Sequence, residues 1–125
     1  MLKILLTKLK RNMTNKDLSI FSNEKVLQFY KELPFNYYSS VEEQSKNILL
    51  GEQNFKIYGP LVNELKKANT IIDVGCGAGY LANSISFVYP KKNILGIDFN
   101  SVATKRATEV SKYLKLNSEF KSIDL

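Results

Sequence analysis

The stretch Asn69-Thr70-Ile71-Ile72-Asp73-Val74-Gly75-Cys76-Gly77-Ala78-Gly79-Tyr80 decides how this chain folds. Thr70, Ile71, Ile72 and Val74 form a short, mostly β-branched apolar run, which predicts a parallel strand buried on both faces. Three glycines on alternate positions follow at once, so the segment reads as strand, tight turn, helix. Glycine at 75, 77 and 79 permits positive φ and lets a ligand rest on bare main chain, with the N–H groups of the next helix pointing at it.

Neighbouring residues narrow the ligand. A dinucleotide-binding fingerprint wants Gly or Ala at its sixth position for helix packing, and Tyr80 stands there instead. Asp73 precedes Gly75 by two residues, where a carboxylate repels a pyrophosphate and suits an ammonium or sulfonium group. Further out, Asn93-Ile-Leu-Gly-Ile-Asp98 is a second short apolar strand. Asp98 lies about 20 residues beyond the glycines, from where an acid accepts hydrogen bonds from both ribose hydroxyls of an adenosine cofactor. Phe99 is placed to lie against an adenine face, a contact worth on the order of 1 kcal/mol.

These residues resemble the first two motifs of class I S-adenosylmethionine-dependent methyltransferases. The pattern acidic-x-Gly-x-Gly-x-Gly appears as Asp73 to Gly79, and Gly-x-Asp as Gly96 to Asp98, with Ala107 in the helix that follows. The resemblance implies that the loop of Gly75, Cys76, Gly77 and Gly79 holds the methionine end of S-adenosylmethionine. It further implies that Asp73 orients the amino group, that Asp98 binds the ribose, and that Asp124 matches a third-motif acid near the adenine amine. Catalytic residues and the methyl acceptor stay open.

Composition bounds the rest. The chain has 125 residues, a net charge of +6, 44% hydrophobic residues, one Cys and no His. That describes one globular unit with an ordinary core fraction, and a single cysteine excludes an internal disulfide framework. With no His and no Cys pair, no zinc site is expected, and a reducing cytoplasm is the expected location. Cys76 is read as a small side chain that fits its loop, because no resolving partner exists. Five of the eighteen basic side chains lie in residues 1–16, which leaves thirteen against twelve acidic ones elsewhere. The body is nearly neutral, so nucleic-acid binding is not supported beyond a basic, solvated head. The apolar run of that head is too short for a signal peptide or a membrane span, and Met13 offers an alternative start.

Residues 17–68 read as a helical segment. Val26, Leu27, Tyr30 and Leu33 share one face of a helix over Ser22 to Leu33, which Pro34 stops. Ser40-Val-Glu-Glu43 is a capping-box signature for a second helix running to about Leu50, with Gly51 able to close it. A third starts near Gly59-Pro60, turning Leu61, Val62 and Leu65 inward and ending at Lys66 and Lys67. The resemblance makes Tyr37, Tyr38 and Tyr58 lid candidates, against the plainer reading of packed aromatics.

Residues 69–125 then alternate strand and helix. Tyr80 to Val88 is a helix with Leu81, Ile85 and Val88 toward the sheet, Asn100 or Ser101 caps a helix from Val102 to about Leu116, and Ser118 to Ile123 is a third strand. Right-handed crossovers give a parallel sheet ordered 3-2-1, an incomplete half of the seven-stranded Rossmann-like fold that the resemblance implies. Strand one is left as an apolar edge with unpaired backbone groups, a site for self-association. Three readings follow. The first is a methyltransferase portion that holds the cofactor half-site and lacks the acceptor site, in effect a truncated form. The others are a fragment of an NAD(P)- or FAD-binding oxidoreductase and a noncatalytic interaction protein of the same fold.

Overall fold

The computed structural model describes residues 23–32 and 37–123. The basic head, Met13, Leu33, Pro34 and Asp124 lie outside them, and the expected apolar face of α1 rests on the side chains of Val26, Leu27 and Tyr30, which are not among those described. The elements run α1 (Asn23–Glu32), α2 (Val41–Ile48), a short 3-10 turn (Gly51–Asn54), α3 (Gly59–Lys67), β1 (Thr70–Val74), α4 (Tyr80–Val88), β2 (Asn93–Asp98), α5 (Ser101–Tyr113) and β3 (Ser118–Ser122).

Local chemistry fixes most of these bounds. Ser40 accepts a hydrogen bond from the Glu43 amide at 3.1 Å and so caps α2; in place of the reciprocal bond of a capping box, Glu43 accepts from the Ser39 hydroxyl. Pro60 occupies the first turn of α3, where its missing N–H costs nothing. Asn100 caps α5 by accepting from the amides of Val102 and Ala103 at 3.0 and 3.3 Å. Gly51 takes a φ of +60° and begins the 3-10 turn beyond α2.

All three strands are parallel, in the order β1-β2-β3. Ile72 pairs with Leu95 and Leu95 with Glu119, and one pleat on, Val74 pairs with Ile97 and Ile97 with Lys121. The core lies on the opposite face, where Phe55, Leu65, Ala82, Ile85 and Ile94 are buried together, with Ile71, Leu81, Val88 and Phe120 packed around them. The expectation that β1 is buried on both faces is therefore corrected, since Ile72 and Val74 are 58% and 64% exposed. Two successive right-handed crossovers in one direction put α4 and α5 on the same side of the sheet, and no described element covers the other. Among the described residues no helix is long and apolar enough to cross a membrane.

Candidate functional site

The site forms where the glycine loop leaves β1. Gly75, Gly77 and Gly79 all take positive φ, +80°, +53° and +81°, but they do different work. A Cβ on Gly75 or Gly77 would meet nothing within 4 Å, so these two present open main chain. A Cβ on Gly79 would come within 2.6 Å of the Ala107 Cβ and 2.9 Å of the Phe120 ring. Gly79 thus supplies the close helix packing that the dinucleotide fingerprint assigns to the next position, which frees Tyr80. The Tyr80 hydroxyl donates to Asn54 Oδ1 at 2.8 Å and pins the start of α4 to the 3-10 turn.

Strand β2 holds the loop from the other side. The Ile97 carbonyl accepts from the amides of Gly75 and Cys76 at 2.8 and 3.1 Å. The buried Asp98 carboxylate accepts from the Gly77 amide at 2.8 Å through one oxygen and from the Asn100 amide at 2.8 Å through the other. A carboxylate offers about four acceptor positions, so two amide donors leave room for hydroxyl donors. Asp98 therefore both shapes the loop and keeps acceptor capacity beside it.

Asp73 sits in register with Gly96, next to that carboxylate. Burial raises its pKa above the ordinary carboxylate range; the backbone N–H of Ala82 pulls the other way, and the charge of Asp98 raises it again. Gly79, the N-cap of α4, has no side chain to satisfy the first amides of that helix, and Asp73 provides an anion there from β1. Two carboxyl groups at the ends of adjacent strands give the mouth of the loop a negative character.

Cys76 is buried, and a Cβ on Gly96 would lie 2.9 Å from its sulfur. Burial first, then the charges of Asp73 and Asp98, push its thiol up to about 12. A thiol so disposed is inert as a nucleophile at neutral pH, in keeping with a side chain that fits its loop. Phe99 is half-buried directly after Asp98, and Asp124 lies outside the described residues.

Sequence patterns missed the polar layer behind the loop. Gln44 on α2 is buried and donates to the Ala78 carbonyl at 2.9 Å. Arg106 on α5 donates to Gln44 Oε1 at 3.3 Å and to the Tyr38 carbonyl at 2.7 Å, with the Tyr37 ring centroid 4.0 Å from its guanidinium carbon. Asn83 donates to the Ala107 carbonyl at 3.2 Å and accepts from the Ser118 hydroxyl at 2.6 Å, joining α4, α5 and β3. Of the lid candidates, Tyr37 and Tyr38 meet Arg106, whereas Tyr58 precedes α3 and is 54% exposed.

A family model described as a methyltransferase domain matches residues 51–125. The PH0226 protein from Pyrococcus horikoshii OT3 shares 22% identity at a TM-score of 0.51, over 78% of this chain and 42% of that one, a likeness of fold. A SAM dependent methyltransferase from Aquifex aeolicus shares 26% identity at a TM-score of 0.44, over 53% of this chain and 37% of the other. TehB from Haemophilus influenzae shares 22% at 0.45, over 53% and 23%. In each case the chain spans less than half the length of the solved structure. A search of curated protein sequences returned no match.

Proposed function

Because the chain belongs to the methyltransferase-domain family, whose members use S-adenosylmethionine, we propose that residues 70–123 form the cofactor half of a methyltransferase site. One observation carries this reading: an open glycine loop with a carboxylate on either side, Asp73 at the end of β1 and Asp98 gripping the Gly77 amide. Asp73 is the discriminating group, because a diphosphate would meet its negative charge whereas an ammonium or a sulfonium would be attracted by it, while Asp98 suits the ribose of either adenosine cofactor. Gly75 and Gly77 give the methionine portion a main-chain bed, the free acceptor positions of Asp98 take the ribose hydroxyls, and Phe99 offers a face for the adenine. Asp124, two residues after the end of β3 in sequence, is assigned to the adenine amine.

When bound, S-adenosylmethionine supplies an electrophilic methyl group on sulfur. The protein's share of such a transfer is mainly orientation. The residues described here orient the donor, and none of them is assigned to the acceptor, which we place against elements beyond these three strands. On this reading the 125-residue chain alone binds cofactor with little or no turnover.

Calorimetry on the whole chain tests the proposal with S-adenosylmethionine, S-adenosylhomocysteine and NAD. Expected is saturable binding of the two adenosyl compounds and none of NAD, with the sulfonium form bound more tightly than the neutral thioether. NAD binding without S-adenosylmethionine binding would refute it.

A further inference from the structure

We propose that Gln44 and Arg106 are positioning residues that tie the Tyr37–Tyr38 segment to the glycine loop, so that order in the segment and order in the loop are coupled. The inference rests on the cofactor reading for its consequence but not for its geometry. Ala78 lies between the two glycines Gly77 and Gly79, and its carbonyl accepts the Gln44 side-chain amide at 2.9 Å. The other end of that amide accepts from Arg106 at 3.3 Å, and the same guanidinium nitrogen donates to the Tyr38 carbonyl at 2.7 Å. The Tyr37 ring stacks 4.0 Å from the guanidinium carbon, and Glu109 faces its Nε at 3.5 Å.

Gln44 is 1% exposed and Arg106 9%. Burying a guanidinium and an amide side by side costs more than an apolar pair of equal volume, and the Arg106 Nε makes no hydrogen bond, with Glu109 only at ion-pair distance, so the arrangement specifies a position more than it adds stability. What it specifies is the distance between three elements far apart in sequence: the segment before α2, the loop after β1 and the middle of α5. A side-chain amide carries both on separate atoms, a donor for the loop carbonyl and an acceptor for the arginine. The Tyr37 and Tyr38 backbone is thereby held in fixed relation to the glycine loop.

Wild type, Gln44→Glu and Arg106→Lys, all as the full chain, are compared by amide hydrogen exchange and by calorimetry with S-adenosylhomocysteine. Gln44→Glu keeps the acceptor for Arg106 and loses the donor to Ala78. It is expected to speed exchange of the Gly77 and Gly79 amides about tenfold while the Tyr37 and Tyr38 amides of the segment and those of β2 stay at wild-type rates. Arg106→Lys loses the stacked, branched contact and is expected to speed exchange in both places, again sparing β2. In both variants affinity for S-adenosylhomocysteine should fall about tenfold, in step with the loop. Wild-type exchange at the loop in Gln44→Glu would overturn the proposal, as would equal acceleration in loop, segment and β2, which marks a role in stability alone. A wild type that does not bind S-adenosylhomocysteine would sink the cofactor reading, while the exchange rates would still decide the coupling.

Discussion

At the scale of single residues, three glycines that look alike in sequence separate into two kinds. Gly77→Ala places a methyl group in open space at a φ of +53°, so it costs about 1–2 kcal/mol of backbone strain and leaves the fold intact. Cofactor affinity should drop, because the methyl group occupies the ligand bed. Gly79→Ala adds collisions at 2.6 and 2.9 Å to a φ of +81°, and about 3 kcal/mol or more of lost stability is expected from strain and overpacking together. Thermal melts of the two variants beside wild type check the contrast; equal melting temperatures would contradict it. Asp73 gives a second residue-scale prediction. Its raised pKa means that the folded state holds the proton more tightly than the unfolded chain. Stability therefore falls as pH rises from the ordinary carboxylate range through the raised value. Asp73→Asn keeps an acceptor for the Ala82 amide and removes the charge, so it should melt higher than wild type at pH 7, with the gain vanishing at strongly acid pH. The same change should weaken S-adenosylmethionine binding at least about tenfold, and wild-type binding itself should weaken as acid protonates Asp73. A lower melting temperature for Asp73→Asn at pH 7 would show that the carboxylate stabilises the fold after all.

At the scale of elements, what was legible in the sequence was what neighbours in the chain decide. The helix over Tyr80–Val88, the strand over Asn93–Asp98 and the start of α3 at Gly59–Pro60 follow from runs, caps and breakers within a few residues of each boundary. Asn100 is such a signal and can be tested. Replacing it with Ala removes the acceptor for two amides of α5 and should cost about 1 kcal/mol, with Asn100→Asp restoring most of it. A melting temperature unchanged in Asn100→Ala would show that the cap contributes nothing. The candidate site was legible to the same extent: Asp73, Gly75, Gly77 and Asp98 do converge at one loop. The polar layer behind it was not, because Gln44 finds Ala78 34 positions away and Arg106 finds Gln44 62 positions away. No periodicity or cap encodes such pairs, and a glutamine on a short, highly polar helix looks like a solvated one until the fold buries it. The different role of Gly79 was hidden for the same reason, since it is defined by Ala107 and Phe120.

At the scale of the whole molecule, the described elements cover one face of the sheet only. The other face carries the exposed Ile72 and Val74 on β1 and the half-buried Leu95 and Ile97 on β2, with Glu119 and Lys121 continuing the same two rows on β3. An apolar sheet face beside a strand that, among the described residues, stands at the edge of the sheet is a site for association. The rows also suit a second copy of this chain. A two-fold axis in the plane of the face and perpendicular to the strands brings Ile72 against Val74, Leu95 against Ile97 and Glu119 against Lys121 of the second copy, so apolar meets apolar and acid meets base. The alternative axis, along the strands, sets β1 against β3 and buries charge on isoleucine, which disfavours it. We therefore propose that the isolated chain self-associates through this face, and that the double change Ile72→Lys with Val74→Lys makes it monomeric while its circular dichroism stays that of wild type. Sedimentation velocity over a hundredfold concentration range reads the outcome. Glu119→Lys should also weaken association, by opposing like charges across the axis, and adding Lys121→Glu to it should restore the complementarity and with it the dimer. A wild type monomeric at every concentration would remove the proposal. Association that survives the two lysines on β1 would move the contact elsewhere on the molecule.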